Sequence, residues 1–112
     1  MLKKITKEEA RIRVLPVDSD ISQYDNMYDQ PQFSEIVNEM IEENGLWGWC
    51  DVEVKASWRD FEGHAYLGAC SYKDKEDFVS ISGYYEDLVE EALEDLNEKI
   101  AECFKDLQEL QK

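Results

Sequence analysis

The sequence predicts an α+β domain of order β-α-β-β-α. The expected architecture is a small, mostly antiparallel three-stranded sheet with two helices on one face and a long C-terminal helix. Three stretches alternate apolar and polar residues at the strand period, and two others repeat apolar residues at the helical period. No internal repeat and no domain linker interrupts the 112 residues, a length that supports one modest core. Residues 1–112 are therefore read as a single domain, with residues 1–8 free to be flexible and a long loop over 18–32.

In "ARIRVLPV", Ala10, Ile12 and Val14 fall on one face and Arg11 and Arg13 on the other. That pattern reads as a short strand, ended or held at a sheet edge by Pro16. "DSDISQYDNMYDQPQ" is polar and turn-prone and supplies the loop. "PQFSEIVNEMIEENG" reads as an amphipathic helix with Pro31 in its first turn. Its stripe is Phe33, Ile36, Val37, Met40 and Ile41, and Asn44-Gly45 closes it. "LWGWCDVEVKASW" alternates again, directing Cys50, Val52, Val54, Ala56 and Trp58 inward. "RDFEGH" is expected to turn with Gly63 at its tip, and "AYLGACSY" to return as the third strand. "KDKEDFVSISG" connects, with room for a helical turn before Phe78. The last helix is expected from about Tyr84 to about Leu110, with a seam of Tyr85, Leu88, Ala92, Leu96, Ile100, Cys103 or Phe104, Leu107 and Leu110.

That helix is longer than the sheet requires. Its C-terminal half must overhang, and Phe104, Leu107 and Leu110 are candidates for a homodimer contact, a fraying tail being the alternative. Monomer and homodimer both stay open.

Charge narrows the function classes. The net charge is −15, and it is unevenly placed. Residues 1–15 carry five bases against two acids, or +3, while the other 97 carry seven bases and 25 acids, or −18. Such a field repels nucleic acids and anionic membranes and attracts basic protein surfaces. Cys50, Cys70 and Cys103 form an odd set without CxxC spacing, each within an apolar pattern. They are read as free buried thiols, with a Cys50–Cys70 disulfide as the alternative. "MLKKITKEEA" has no apolar stretch behind its basic start, and no segment reaches bilayer-spanning length. The expectation is a soluble, cytoplasmic protein.

No catalytic signature emerges, and the expectation is a non-enzyme without cofactor. His64, the only histidine, lies near the expected turn. A nucleophilic triad would need Cys70 or Ser71 held against it and an acid behind it, and the spacing secures neither. Carboxylate pairs are so numerous that none stands out as a general acid–base couple. "DSDISQYDNMYD" sets Asp18, Asp20, Ser22 and Asp29 at four calcium-loop positions, but Gln23 stands where a glycine is needed and Asp29 where a bidentate glutamate is needed. No metal site is therefore expected. Zinc clusters and Gly-rich phosphate loops are missing from the sequence.

Trp47, Trp49 and Trp58 are expected on one strand with Tyr66 and Tyr72 on its partner, as sheet core and cross-strand packing. Trp47 and Trp49 also share a strand face with Asp51 and Glu53. If that face is open it becomes a docking patch, to which Tyr28 of "YDNMYD" could add.

"GYYEDLVEEALEDLNEKI" places Glu86, Asp87, Glu90, Glu91, Glu94, Asp95 and Glu98 before its first base, Lys99. Charge runs are usually solvated faces. Here, however, successive like-charge i,i+4 pairs each cost a few tenths of a kcal/mol, about 0.2–0.5. Solubility alone does not require this, because interspersed charges of both signs would serve it better. Rows of carboxylates about 5–6 Å apart on a rigid helix approach the charge density of a phosphate backbone. Glu35, Glu39, Glu42 and Glu43 on the first helix extend the field. The pattern thus points to a ligand for the basic groove of a nucleic-acid-binding protein.

"WGWCDVEVKASW", "FEGHAYLGACSY", "KEDF" and "GYYEDLVEEALEDL" together resemble a family of small proteins encoded by phages, prophages and plasmids, over roughly Leu46 to Leu96. The resemblance implies a mobile-element origin. Small acidic proteins of that origin are similar to DNA-mimic inhibitors of host defence, the anti-CRISPR and antirestriction proteins. Those inhibitors share no motif, so no site residues carry over, and the basic N-terminal segment departs from a uniformly acidic mimic unless it makes an internal ion pair. The resulting expectation is an inhibitor of a CRISPR effector or related complex, bound through the acids of the last helix and those of the first, with Trp47 and Tyr28 for specificity. The alternative is an adaptor that dimerises by its long helix and docks by an aromatic face.

Overall fold

A computed structural model describes residues 3–17, 31–81 and 83–111. The elements are β1 (Arg11–Val17), α1 (Pro31–Asn44), a 3-10 turn (Gly45–Gly48), β2 (Cys50–Trp58), β3 (Phe61–Cys70), a short helix α2 (Lys75–Ile81) and α3 (Tyr85–Glu109). The strands form one antiparallel sheet in the order β1-β2-β3, as the α+β reading expects. β1 takes an edge, which is where Pro16, with no N–H to donate, is tolerated.

Contacts gather into two compact units. The first holds the described residues up to Val14, Val54–Ala65 and Glu86 onward. The second holds the described parts of Leu15–Glu53 together with Tyr66–Tyr85. β2 and β3 run through both.

The first unit has a core of Ile5, Val14, Val54, Ala56, Ala65, Leu88, Val89, Ala92 and Leu96. Alternation along β2 directs Val54 and Ala56 inward as expected, whereas Trp58 is only half-buried, with the Arg59 guanidinium 4.9 Å above its ring. The hairpin turns at Arg59 and Asp60, where Arg59 adopts φ 53°. Gly63 is not at the tip; it lies inside β3 and is buried. A Cβ there would overlap the Ala92 carbonyl oxygen and the Leu96 amide nitrogen and would stand 2.8 Å from Leu96 Cα. The missing side chain lets the backbone of α3 lie directly on the strand.

Asn97 of α3 grips the N-terminal segment. Its Oδ1 accepts the Ile5 N–H at 2.8 Å, and its Nδ2 donates to the Ile5 carbonyl at 3.1 Å and to the Leu93 carbonyl at 2.9 Å. Both polar backbone groups of Ile5 are thus satisfied while its side chain is buried. Next to it, Glu9 accepts from the Thr6 hydroxyl and from Lys3 Nζ.

The second unit centres on Phe78, whose side chain is fully buried. Trp47 stacks on its ring at 6.2 Å, and Tyr72 and Tyr85 meet it edge-on at 5.1 and 6.5 Å. α2, longer than the single turn expected, is what carries Phe78 inward. Its start is capped by Asp74, whose Oδ1 accepts the Asp77 N–H at 2.9 Å, while Asp77 Oδ2 accepts the N–H of Lys73, one residue before the cap, at 3.0 Å. The stretch Leu46–Gly48 belongs to the 3-10 turn and not to β2, so Trp47 does not share a strand face with Asp51 and Glu53. Gly48 backs onto α1, where a Cβ would overlap the Met40 carbonyl. On α1, Val37 is buried, while Ile36, expected in the stripe, is 50% exposed.

Candidate interaction surface

Six of the seven carboxylates expected to act together on α3 are exposed: Glu86, Asp87, Glu90, Glu91, Glu94 and Glu98. Opposite them Leu88, Val89, Ala92 and Leu96 are buried. Glu86, Glu90, Glu94 and Glu98 form one i,i+4 row, and Asp87 and Glu91 begin a second. The first turn of α3 gains from its two acids, Glu86 and Asp87, because carboxylates complement the N-terminal end of the helix dipole. Lys7 of the N-terminal segment comes within 3.5 Å of Glu86, the internal ion pair that the basic start of the chain left open.

Asp95 is the exception. Its Oδ2 accepts the backbone N–H of His64 at 2.9 Å and a hydrogen bond from Lys99 at 3.0 Å. Lys99 also donates to the Glu62 carbonyl at 3.0 Å. Asp95 and Lys99 are thus an i,i+4 ion pair whose two members hold adjacent backbone groups of β3. The His64 N–H, followed by Lys99, holds the Asp95 carboxyl below its ordinary range. A depressed carboxylate contributes stability that is complete above its unfolded-state value and is lost as pH falls through the folded-state value. Asp95→Ala is expected to lower stability by about 1 kcal/mol near pH 7, a charge-assisted contribution discounted for solvent screening. The difference should shrink below about pH 4, as read by urea denaturation at each pH.

Glu35, Glu39, Glu42 and Glu43 are exposed on α1, in the other unit. Trp47 is half-buried against Phe78 and is not displayed. Tyr28 and the calcium-like stretch Asp18–Asp29 lie outside the described residues. Among the described residues no group of three or more His, Cys, Asp or Glu side chains could hold a metal. Beyond half-exposed at the far end of α3 are Leu107 at 54% and Leu110 at 81%, with Phe104 nearby at 40%.

The groups with catalytic potential are dispersed. His64 sits in β3 with Nε2 3.5 Å from Glu62 Oε2. Cys70 is six residues further along the same strand, in the other unit. Cys50, Cys70 and Cys103 are free thiols. Burial, with smaller contributions from Cys70 and Asp51, pushes Cys50 up to about 11, and burial also raises Cys70. Neither is an activated nucleophile at neutral pH. An open groove of about 660 Å³ between the N-terminal segment and α3 is lined by Lys3, Lys4, Ile5, Leu93, Glu94 and Ile100, among others. Both charge signs are present there beside apolar side chains.

Gly63, Asn97 and the dual role of Asp95 escape a reading of charge and periodicity. The available signal was a glycine within an otherwise alternating strand, which marks a close backbone approach as often as a turn. No helix of the described chain is long and apolar enough to cross a membrane. Comparisons with protein-family models, curated proteins and solved structures find no match to this chain.

Proposed function

We propose that this protein binds a basic, nucleic-acid-binding surface of another protein, with the α3 carboxylates taking the place of phosphates. One observation carries the reading: six exposed acids in adjacent rows on one rigid helix, with no base in the same half of that helix. Their mutual repulsion destabilises the isolated helix and is relieved when a basic groove closes over them. With the resemblance to mobile-element proteins, the partner class is a nucleic-acid-processing defence complex, a CRISPR effector first. The activity is then inhibition by occupancy, without a chemical step. The acids of α1 supply a second patch of the same sign.

The test is capture from nuclease-treated host lysate, followed by affinity measurement on the captured complex. Affinity is expected to fall at least about tenfold between 50 and 300 mM salt, because exposed charge pairs are screened over about one Debye length. Duplex DNA or RNA should compete for the site. Salt-independent binding, or a stable ternary complex with nucleic acid, would refute occupancy of the groove.

A further inference from the structure

We infer that the outer edge of β1 is a docking site for an extended segment of a partner protein in which acidic and apolar residues alternate. In the sheet β1 is bonded to β2 alone. Among the described residues, nothing outside the sheet bonds to the main chain of Arg11–Val17. Successive residues of a strand turn their N–H and C=O groups to opposite edges. Pro16 has no N–H, and within a sheet proline is placed where that position faces solvent. Ile12 and Val14, an even number of residues away, share its direction. Their N–H and C=O groups therefore form the outer edge, while those of Arg13 and Leu15 point to β2.

Side chains identify the occupant. Val14 is buried and Ile12 half-buried on the core side of the strand, whereas Arg11 and Arg13 are exposed and alternate onto the other side. Among the described residues neither arginine makes an ion pair. Of the two acids in the N-terminal segment, Glu9 is already engaged by Lys3 Nζ at 2.9 Å. Residues 1–15 sum to +3, and charge further than about 8 Å away is largely screened at physiological salt. This edge therefore attracts an acidic strand although the whole chain is acidic. A strand laid along β1 sets its side chains beside those of β1, face for face. Carboxylates two residues apart meet Arg11 and Arg13, and an apolar residue between them covers Ile12. Main-chain bonds to Ile12 and Val14 supply affinity, and the alternating side chains supply selection.

The probe is a capped heptapeptide alternating glutamate with valine and threonine, read by amide hydrogen exchange in the isotope-labelled full chain. In the free protein the Ile12 and Val14 amides should exchange quickly and those of Arg13 and Leu15 slowly. With about 1 mM peptide, exchange at Ile12 and Val14 should slow at least about threefold, which corresponds to roughly two-thirds occupancy. A peptide of the same composition with its glutamates consecutive should leave both amides unprotected. Combined Arg11→Glu and Arg13→Glu should weaken the glutamate peptide at least about tenfold and admit the matching lysine peptide. Both arginines are exposed, so the circular dichroism of that variant should match wild type. Slow exchange at Ile12 and Val14 at every concentration of free protein shows a covered edge and overturns the proposal. Protection that grows with protein concentration alone makes a second copy the occupant and overturns it too, as does equal protection by the consecutive-glutamate peptide. The α3 acids take no part, so combined Glu90→Lys, Glu91→Lys and Glu94→Lys should bind the peptide at least as tightly as wild type. The edge thus stands or falls apart from the α3 reading.

Discussion

Gly63→Ala is expected to destabilise the protein by about 3 kcal/mol or more, at the upper end of overpacking effects. The added Cβ meets the Ala92 carbonyl oxygen, the Leu96 amide nitrogen and Leu96 Cα, all of them backbone. No rotamer change can relieve a clash with a helix backbone, so α3 must lift from β3 or the strand must bend. Either movement opens the packing around Ala92 and Leu96, which are fully buried. Gly68→Ala is the matched control on the same strand. Its Cβ would lie 3.6 Å from Asp51 Oδ1, an ordinary contact, and it should change stability by less than about 1 kcal/mol. Denaturant midpoints of the two variants with unchanged slopes test the pair. Equal effects would show that α3 does not rest on the strand at Gly63.

The second large effect concerns binding. Combined Glu90→Lys, Glu91→Lys and Glu94→Lys should weaken partner affinity by at least about a hundredfold, since three attractive contacts become repulsive and each reversal is worth about 1 kcal/mol or more. Stability should hold or rise slightly. The variant helix has attractive i,i+4 pairs at 86–90, 87–91, 91–95 and 94–98, and one like-charge pair at 90–94. Asp95 is left in place because it holds the His64 N–H, and its loss would confound folding with binding. The parallel variant on α1, with Glu39→Lys, Glu42→Lys and Glu43→Lys, tells whether that helix shares the contact. Wild-type affinity in the α3 variant would end the phosphate-mimic account.

Much of this architecture is legible from local patterns. The run Cys50, Val52, Val54 and Ala56 alternates without a break, and each of these side chains is fully buried, because a central strand has both neighbours filled and little freedom to slip. The α3 seam is equally plain. What local pattern conceals is where backbones touch. Gly63 serves a turn or a close approach equally well, and deciding between them needs the identity of the element lying across it. Trp47 is misread for a related reason: Gly45 and Gly48 bracket a tight turn that interrupts the alternation, and its ring then follows Phe78. The short helix α2 had a readable signal in Asp74 and Asp77, three residues apart before an apolar residue. Among the acids, periodicity separates the solvent face from the core, but it does not separate Asp95 from its neighbours. That distinction depends on a strand 31 residues away in sequence.

The grip of Asp95 and Lys99 on β3 bears on a hazard common to small sheets. An edge strand offers its outward N–H and C=O groups as a template for strand addition, the first step toward amyloid-like stacking. At Glu62 and His64 those groups are already engaged, the carbonyl by an ammonium and the N–H by a carboxylate. An incoming strand would have to displace a salt-bridged pair to form ladder bonds at these two residues.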